Sequence, residues 1–347
     1  MNFVIRLDIS KEIGYGHFYR SITLARSLRS SNDSIYLIAK SIPEHLKIWL
    51  SKFGIKFFLL GSNITSGSIE DLNHTKSFCE LIGNPDLLII DHYNIDIKFE
   101  KNIRNFVNKI LVIDDLANRN HDCDILLDQN LRHLENRYEK LLPKKSKVFL
   151  GPKYFFFREE FYDANLSKSV RNKLKNILIF MGGGDNSYEI IKVIKSIKYI
   201  NSKEIYWTLI TGKDIQDINK IILLTKKIKN FKLITHTDEI SKIISSSDLA
   251  IGTCGISAWE RCILGLPSLV MITAENQKED AEILEEMNAV INLGRSDKVL
   301  GKDIAKNITK LINNDNLLKS MSIASFKVLE GHTKAINFLK KEIILTL

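Results

Sequence analysis

Short apolar segments rich in β-branched residues alternate with amphipathic helical segments along most of this 347-residue chain. Continuous apolar strands joined by helices are typical of parallel sheets covered by helices on both faces. The pattern therefore predicts a doubly wound α/β fold. The predicted strands are Phe3 to Asp8, Ser34 to Ala39, Asp86 to Asp91, Lys109 to Asp114, Asn176 to Met181, Ile205 to Ile210, Lys232 to Thr235, Leu249 to Gly252 and Ser268 to Ile272.

This alternation occurs twice, with a segment that lacks a strand pattern between the two series. We predict a Rossmann-like domain over residues 1–150, a connection over 151–174 and a second Rossmann-like domain over 175–330. The C-terminal segment 331–347 is predicted to be a helix that packs back toward the first domain. Open parallel sheets bind ligands at the carboxyl ends of their strands, so we expect the site in an interdomain cleft lined by loops from both domains.

The charge distribution limits the classes of partner. Lys and Arg number 50 against 41 Asp and Glu, and the formal charge of +9 suits an anionic ligand. The basic residues are scattered, with no Arg-rich block and no interleaved aromatic platform, so nucleic acid is not predicted as a partner. No apolar run approaches the roughly 18 residues of a membrane span, and the N-terminal segment lacks a signal pattern. A cytoplasmic location is the expectation.

Neither a metal nor a cofactor is predicted. The cysteines Cys79, Cys123, Cys254 and Cys262 show no CxxC or CxxH spacing and are expected to be buried thiols. The tandem Asp114-Asp115 resembles a metal or sugar-nucleotide DxD-like site, but no third acidic partner is identifiable.

The first strand leads into a glycine-rich turn that contains Gly14 and Gly16 and is followed by His17. Glycines allow the chain to approach a ligand closely, and a histidine at the mouth of a helix is a candidate general base that titrates near neutrality. The alternative is a polar residue that caps the helix. A dinucleotide fingerprint is disfavoured because Tyr19 stands where its third glycine is required.

Acidic residues follow two further strands. Asp91-His92-Tyr93 comes after one and Asp114-Asp115 after the next. Such carboxylates can orient a histidine or accept sugar hydroxyls, although an aspartate in this position is often only the N-cap of the next helix.

Two loops of the second half have the composition of phosphate-binding turns. Gly182, Gly183 and Gly184 lie between a strand and a helix, where backbone N–H groups and the helix start favour an anion; a tight structural turn is the alternative. Gly255 and Ser257 open a second helix in the same manner.

Two polar residues near these loops are candidates for contacts to the rest of a nucleotide. Glu260, one turn inside the second helix, is a candidate acceptor for ribose hydroxyls or otherwise a paired surface charge. Asn276 begins a later helix and is either a ligand contact or an N-terminal helix residue.

The runs IGYGHFYRSITLA, VIDDLANRNHDCDILLDQN, GPKYFFFREEF, ILIFMGGGD, DLAIGTCGISAWERCILGLPSLV and AENQKEDAEIL occur in one order and spacing. In these runs the chain resembles, over nearly its whole length, the UDP-2,4-diacetamido-2,4,6-trideoxy-β-L-altropyranose hydrolases of pseudaminic acid biosynthesis. Those hydrolases are similar in turn to MurG-type GT-B glycosyltransferases. The resemblance implies a GT-B-like pair of Rossmann-type domains that binds a UDP-sugar and releases UDP.

The resemblance also implies roles for individual residues. His17 matches the histidine regarded as the catalytic base, and Tyr93, after Asp91, is expected near the sugar. Glu260 matches the nucleotide-binding glutamate of the W-E-R motif, and Asn276 matches the asparagine of A-E-N-Q. The implied reaction is metal-independent, inverting hydrolysis at the anomeric carbon. A MurG-like glycosyltransferase and a non-catalytic nucleotide-sugar binder stay open as alternatives.

Overall fold

The computed structural model describes residues 1–9, 15–132, 136–163, 165–201, 204–212, 215–235 and 237–347. The chain divides into two compact units. Unit 1 comprises residues 1–156 and 331–347, and unit 2 comprises residues 157–330.

The described residues of unit 1 form a seven-stranded parallel sheet in the order β3-β2-β1-β4-β5-β6-β7. Its strands are β1 (Asn2–Leu7), β2 (Ser34–Ala39), β3 (Lys56–Leu59), β4 (Leu87–Asp91), β5 (Lys109–Ile113), β6 (Ile125–Asp128) and β7 (Lys147–Leu150). Its helices are α1 (Gly16–Leu28), α2 (Glu44–Lys52), α3 (Ile69–Leu81), α4 (Ile97–Ile103) and, from the C-terminal segment, α12 (His332–Thr346). Because the strand order reverses between β1 and β4, the carboxyl ends of those two strands form the topological switch point of this sheet.

The described residues of unit 2 form a six-stranded parallel sheet in the order β10-β9-β8-β11-β12-β13. Its strands are β8 (Asn176–Phe180), β9 (Tyr206–Ile210), β10 (Phe231–Ile234), β11 (Leu249–Thr253), β12 (Ser268–Ile272) and β13 (Val290–Arg295). Its helices are α5 (Ser187–Ser196), α6 (Ile218–Thr225), α7 (Ile240–Ser245), α8 (Ile256–Ile263), α9 (Lys278–Glu286), α10 (Gly301–Ile312) and α11 (Asp315–Val328). The switch point of this sheet lies between β8 and β11.

The predicted doubly wound fold is confirmed, and all nine predicted strands are present with ends within one residue of the prediction. Four further strands, β3, β6, β7 and β13, were not predicted. In the described part of residues 151–174 there are two short 3₁₀ helices, Pro152–Tyr154 and Glu159–Tyr162, and no strand.

Helix α12 completes the apolar core of unit 1. Ile336, Leu339 and Ile343 are buried in one cluster with α1 and the inner strands of the sheet. Polar contacts support this packing, since Lys147 forms an ion pair of 2.7 Å with Glu342.

The four cysteines are buried, which confirms the expectation of buried thiols. Burial raises the pKa of the Cys79 and Cys262 thiols to about 12, so both are protonated and unreactive at neutral pH. None of the helices in the described part of the chain is both long enough and apolar enough to span a membrane.

Candidate active site and nucleotide site

The switch point of the unit 1 sheet brings two predicted residues together. His17 lies in the first turn of α1, directly after the loop that follows β1, and Asp91 is the last residue of β4. The two strands are neighbours and run parallel, so residues 74 positions apart in sequence meet at one edge of the sheet. His17 Nδ1 lies 2.5 Å from Asp91 Oδ1.

Asp91 is fully buried and accepts hydrogen bonds from three side chains of α1. Besides His17, Arg20 donates from Nε and Nη2 at 2.7 and 2.6 Å, and Ser21 donates from Oγ at 2.7 Å. Burial alone would raise the pKa of Asp91, but the charge of Arg20 and the hydrogen bonds from Arg20 and His17 hold it well below its usual value. The carboxylate is therefore ionised at neutral pH.

This arrangement fixes the tautomer of His17. An unprotonated Nδ1 would be repelled by the ionised Asp91 carboxylate, whose Oδ1 lies 2.5 Å away. We therefore assign the proton of the neutral ring to Nδ1. Nε2 then carries the lone pair, and this atom has no hydrogen-bond partner within the ranges that the structure describes. A histidine oriented by a carboxylate in this manner can act as a general base.

Tyr93 and Asp115 extend the same cluster. The Tyr93 ring packs edge-on against His17, with ring centroids 5.0 Å apart, and its hydroxyl donates to Asp115 Oδ2 at 3.2 Å. Asp115 Oδ2 also receives Arg20 Nη1 and Asn130 Nδ2, whereas Asp115 Oδ1 is buried and has no hydrogen-bond partner in the described part of the chain. Burial and the charge of Asp115 raise the pKa of Tyr93, so its hydroxyl is protonated at neutral pH.

The remaining predicted residues of this region have different positions. Gly16 is the first residue of α1, whereas Gly14 lies outside the described residues. His92 points into a separate buried network, where its Nε2 lies 3.1 Å from Asp8 Oδ2 and its Nδ1 accepts the Asn94 amide. His92 thus has a structural role here.

The other aspartate of the tandem pair belongs to a second buried cluster at the same edge of the sheet. Asp114 accepts from Arg119 and from the Ala117 amide, and the Tyr138 hydroxyl lies 3.0 Å from Asp114 Oδ2 and 3.1 Å from Asp128 Oδ2. Burial raises the pKa of Asp128 to about 6.

At the switch point of unit 2, the loop after β8 contains the three predicted glycines. Gly182 adopts a φ of +92°, which favours glycine, and a side chain at Gly212 would lie 2.9 Å from the Gly183 carbonyl oxygen. Asp185 Oδ1 accepts from the amide and hydroxyl of Ser187 and therefore occupies the start of α5. A carboxylate at this helix start competes with any phosphate there.

The loop after β11 leaves its helix start without such a cap. Gly255 is the N-cap of α8 and makes no side-chain cap hydrogen bond, and the Ala258 amide donates to the Gly255 carbonyl, so the backbone N–H groups of Ile256 and Ser257 remain available. Beneath the loop, the buried Arg261 donates to the Ser257 hydroxyl at 3.0 Å, to the Thr253 carbonyl at 2.8 Å and to Ser268 at 2.9 Å.

Arg261 lacks a carboxylate partner among the residues that the structure describes. Burial lowers the pKa of this guanidinium, yet it stays charged at neutral pH. Because Nη1 donates to Ser257 Oγ, the Ser257 proton is directed elsewhere. The charge and the helix start together suit an anion at residues 255–257.

Glu260 and Asn276 complete the predicted set. Glu260 is buried and pairs with Arg158, whose Nη2 and Nε lie 2.8 and 3.3 Å from Glu260 Oε1. Asn276 lies in a 3₁₀ turn, Glu275–Gln277, that precedes α9. The next residue, Gln277, brings this turn close to the α8 start, since its Nε2 would lie 3.8 Å from a side-chain carbon at Gly255.

Several residues of these clusters were not predicted from the sequence. Arg20 and Ser21 donate to Asp91, and Arg158 donates to Glu260. Each of these pairs joins residues far apart in the sequence, so no local pattern indicates the pairing. The only available signal was the position of Arg20 and Ser21 one turn after His17, on the same face of α1. Within the described ranges, no three His, Cys, Asp or Glu side chains are grouped so as to hold a metal ion.

The sequence of this chain is similar to a known domain family and to other proteins. Residues 177–338 match the model of the glycosyltransferase family 28 C-terminal domain. The chain is 29% identical over 288 residues to an uncharacterized protein of Methanocaldococcus jannaschii, covering 80% of this chain and 57% of that protein. It thus spans little more than half the length of that relative.

A second relative covers most of both chains. The chain is 28% identical over 287 residues to the UDP-2,4-diacetamido-2,4,6-trideoxy-β-L-altropyranose hydrolase of Campylobacter jejuni, covering 81% of this chain and 95% of that protein. Among solved structures, MurG of Acinetobacter baumannii matches 99% of this chain and 100% of its own with a TM-score of 0.67 at 13% identity. The chain has a two-domain Rossmann-like GT-B fold.

Proposed function

We propose that the protein hydrolyses a UDP-linked 2,4-diacetamido-2,4,6-trideoxyhexose at C1 with inversion, releasing UDP and the free sugar for nonulosonic acid biosynthesis. The observation that carries the proposal is the pairing of His17 with the ionised Asp91, which leaves Nε2 as a base. The Campylobacter jejuni relative, similar over most of both chains, bears the name of this activity.

In the proposed mechanism, His17 Nε2 takes a proton from the water that attacks C1, and Asp91 stabilises the imidazolium that forms. Tyr93 beside the ring is assigned to the sugar. The bond from C1 to the diphosphate oxygen breaks as the water oxygen bonds to C1 from the opposite face. No metal takes part in this proposal.

Unit 2 is assigned to the UDP. The first-turn N–H groups of α8, the Ser257 hydroxyl and the underlying charge of Arg261 suit a diphosphate that gains charge as it departs. Gly182 and Gly183 are assigned a backbone contact to the same group, Glu260 a contact to the ribose, and Asn276 a contact to the nucleotide.

The test is to incubate the protein with a panel of UDP-linked diacetamido-trideoxyhexoses and follow the products by NMR in ¹⁸O-labelled water. We expect UDP and a free sugar whose first-formed anomer is inverted, with the label on C1 of the sugar. Label in UDP would indicate attack at phosphorus and would overturn the proposal. A chelator is expected to leave the rate unchanged.

A MurG-like glycosyltransferase is the second candidate, and the match of residues 177–338 to a glycosyltransferase domain favours it. Such an enzyme would show little UDP release until an acceptor is added. The same assay with and without candidate acceptors separates the two activities, and a protein that only binds the nucleotide sugar would release no UDP in either case.

A further inference from the structure

Arg158 holds the predicted ribose ligand Glu260 by one oxygen only. Both donors of Arg158 that reach Glu260, Nε and Nη2, converge on Oε1. Oε2 of Glu260 has no hydrogen-bond partner in the portion of the chain that is described. The carboxylate therefore has one occupied oxygen and one available acceptor.

The guanidinium of Arg158 is itself fixed from two other sides. Its Nη1 lies 3.1 Å from Glu160 Oε1, and Glu160 Oε2 accepts from the Ser241 hydroxyl at 2.9 Å. The plane of Arg158 also lies 5.4 Å from the centre of the buried Phe161 ring. A guanidinium held in this way can orient a neighbouring carboxylate, which a flexible ammonium would do less well.

The orientation has a consequence for ligand choice. Glu260 is the fifth residue of α8, about one turn after the helix start that is assigned to the diphosphate. A sugar hydroxyl that donates to the available Oε2 replaces the water which this oxygen would otherwise bind. A nucleotide that lacks the hydroxyl leaves a largely buried, charged acceptor unpaired, and such an omission is costly.

We propose that Arg158 is a positioning residue that makes the nucleotide site selective for ribose over deoxyribose, by orienting Glu260 toward a ribose hydroxyl. The proposal rests on the proposed UDP binding by unit 2. It does not depend on whether the protein hydrolyses or transfers the sugar.

The experiment measures dissociation constants for UDP, 2′-deoxy-UDP and 3′-deoxy-UDP by calorimetry with the full chain. We expect the unmodified protein to bind UDP about 10- to 100-fold more tightly than at least one deoxy analogue. In Arg158→Lys, which keeps the charge but loses the planar fork, the ratio should fall to within about threefold of unity.

Two further variants separate positioning from general damage. Arg104→Lys is the matched control, because Arg104 is similarly exposed, at 25% against 24% for Arg158, and also pairs with two carboxylates, but lies in unit 1. Glu160→Gln removes the charge at this position but keeps an amide oxygen that can accept from Arg158 Nη1, and it leaves the Arg158–Glu260 pair. Both should keep the selectivity within about twofold, with melting temperatures showing that each variant is folded.

The outcomes are distinguishable. Loss of selectivity in Arg158→Lys alone supports the proposal. Unchanged selectivity in that variant, equal loss in Glu160→Gln, or an unmodified protein that binds all three nucleotides alike overturns it while leaving the proposed function intact. An unmodified protein that does not bind UDP overturns the proposed function and this inference together.

Discussion

Asp91 gathers three donors from one helix, and this concentration of donors determines the chemistry of His17. Arg20 neutralises much of the carboxylate charge, so Asp91 orients the imidazole without holding a proton itself. Ser21 occupies the remaining position on Oδ2. Nε2 is left without a hydrogen-bond partner among the described residues, as a base that acts on water requires.

Replacement of His17 tests this role. His17→Asn should lower the hydrolysis rate about 100- to 10,000-fold, because general-base catalysis typically contributes that much. The dissociation constant for UDP should change by less than about twofold, since unit 2 is assigned to the nucleotide. Steady-state kinetics and calorimetry check both values. The same substitution at the exposed His74 is the control, and unchanged turnover in His17→Asn would remove His17 from the mechanism.

Asp128 provides a prediction on stability. Its folded pKa of about 6 lies above the ordinary value of 3.8, so between these values the folded protein keeps a proton that the unfolded chain has lost. The protonated Asp128 therefore contributes fully to the free energy of unfolding below about pH 4, and this contribution is lost as the pH rises through 6. The shift corresponds to about 3 kcal/mol.

In Asp128→Asn the side chain does not titrate, so the fall in the free energy of unfolding that Asp128 causes as pH rises should be absent. Denaturant unfolding from pH 4.5 to 7.5 should show that the free energy of unfolding of the unmodified protein falls relative to that of the variant as pH rises. Asp297→Asn, at an exposed position, should give a curve parallel to that of the unmodified protein. Parallel curves for Asp128→Asn would contradict the assignment.

At the scale of elements, the sequence predicts the central strands because burial on both faces makes them continuously apolar. β1, β4 and β11 are buried along nearly their whole length and were predicted within one residue. β3 is mostly exposed at the edge of its sheet, and β13 is only half-buried, so neither shows a continuous apolar pattern. β6 is apolar over three of its four buried residues, and its burial pattern does not explain why it was missed.

The candidate site shows the same limit. Residues that follow strands, such as His17 and Asp91, were singled out from the sequence because parallel sheets bring strand ends together. Their assigned roles stay predictions. The partners Arg20 and Arg158 were not singled out, because a pairing between positions 71 or 102 apart depends on which strands are neighbours and on side-chain rotamers. Sequence patterns carry neither.

The connection between α8 and β12 gives a prediction for a packed turn. Gly265 has a φ of +62°, and a side-chain carbon there would lie 2.1 Å from the Phe326 ring of α11. Gly265→Ala combines backbone strain with this overlap and should lower the free energy of unfolding by about 2–4 kcal/mol.

Gly54→Ala is the matched control, because Gly54 has a φ of +63° with no atom within 4 Å of the added carbon. It carries the strain alone and should cost about 1 kcal/mol. Denaturant unfolding measures both variants. Equal losses would show that the contact with Phe326 adds nothing.

At the scale of the whole molecule, the two units repeat one design. Each has a parallel sheet whose strand order reverses once, and in each unit a predicted cluster lies at that reversal. In unit 1 the cluster carries a carboxylate and an imidazole, whereas in unit 2 it carries glycines, a helix start and a buried guanidinium. In the proposed function, unit 1 accordingly carries out the proton transfer and unit 2 binds the anion.

The division into units also predicts where a core mutation is felt. Leu339 of α12 is fully buried in the core of unit 1, although it follows unit 2 in the sequence. Leu339→Ala should cost about 2–5 kcal/mol. Hydrogen–deuterium exchange should therefore accelerate in peptides of residues 1–156 and change little in 157–330. Leu345→Ala in the same helix, at a position 65% exposed, should leave both regions unchanged. Equal acceleration in both regions would mean that the two units open together and that α12 does not belong to unit 1 alone.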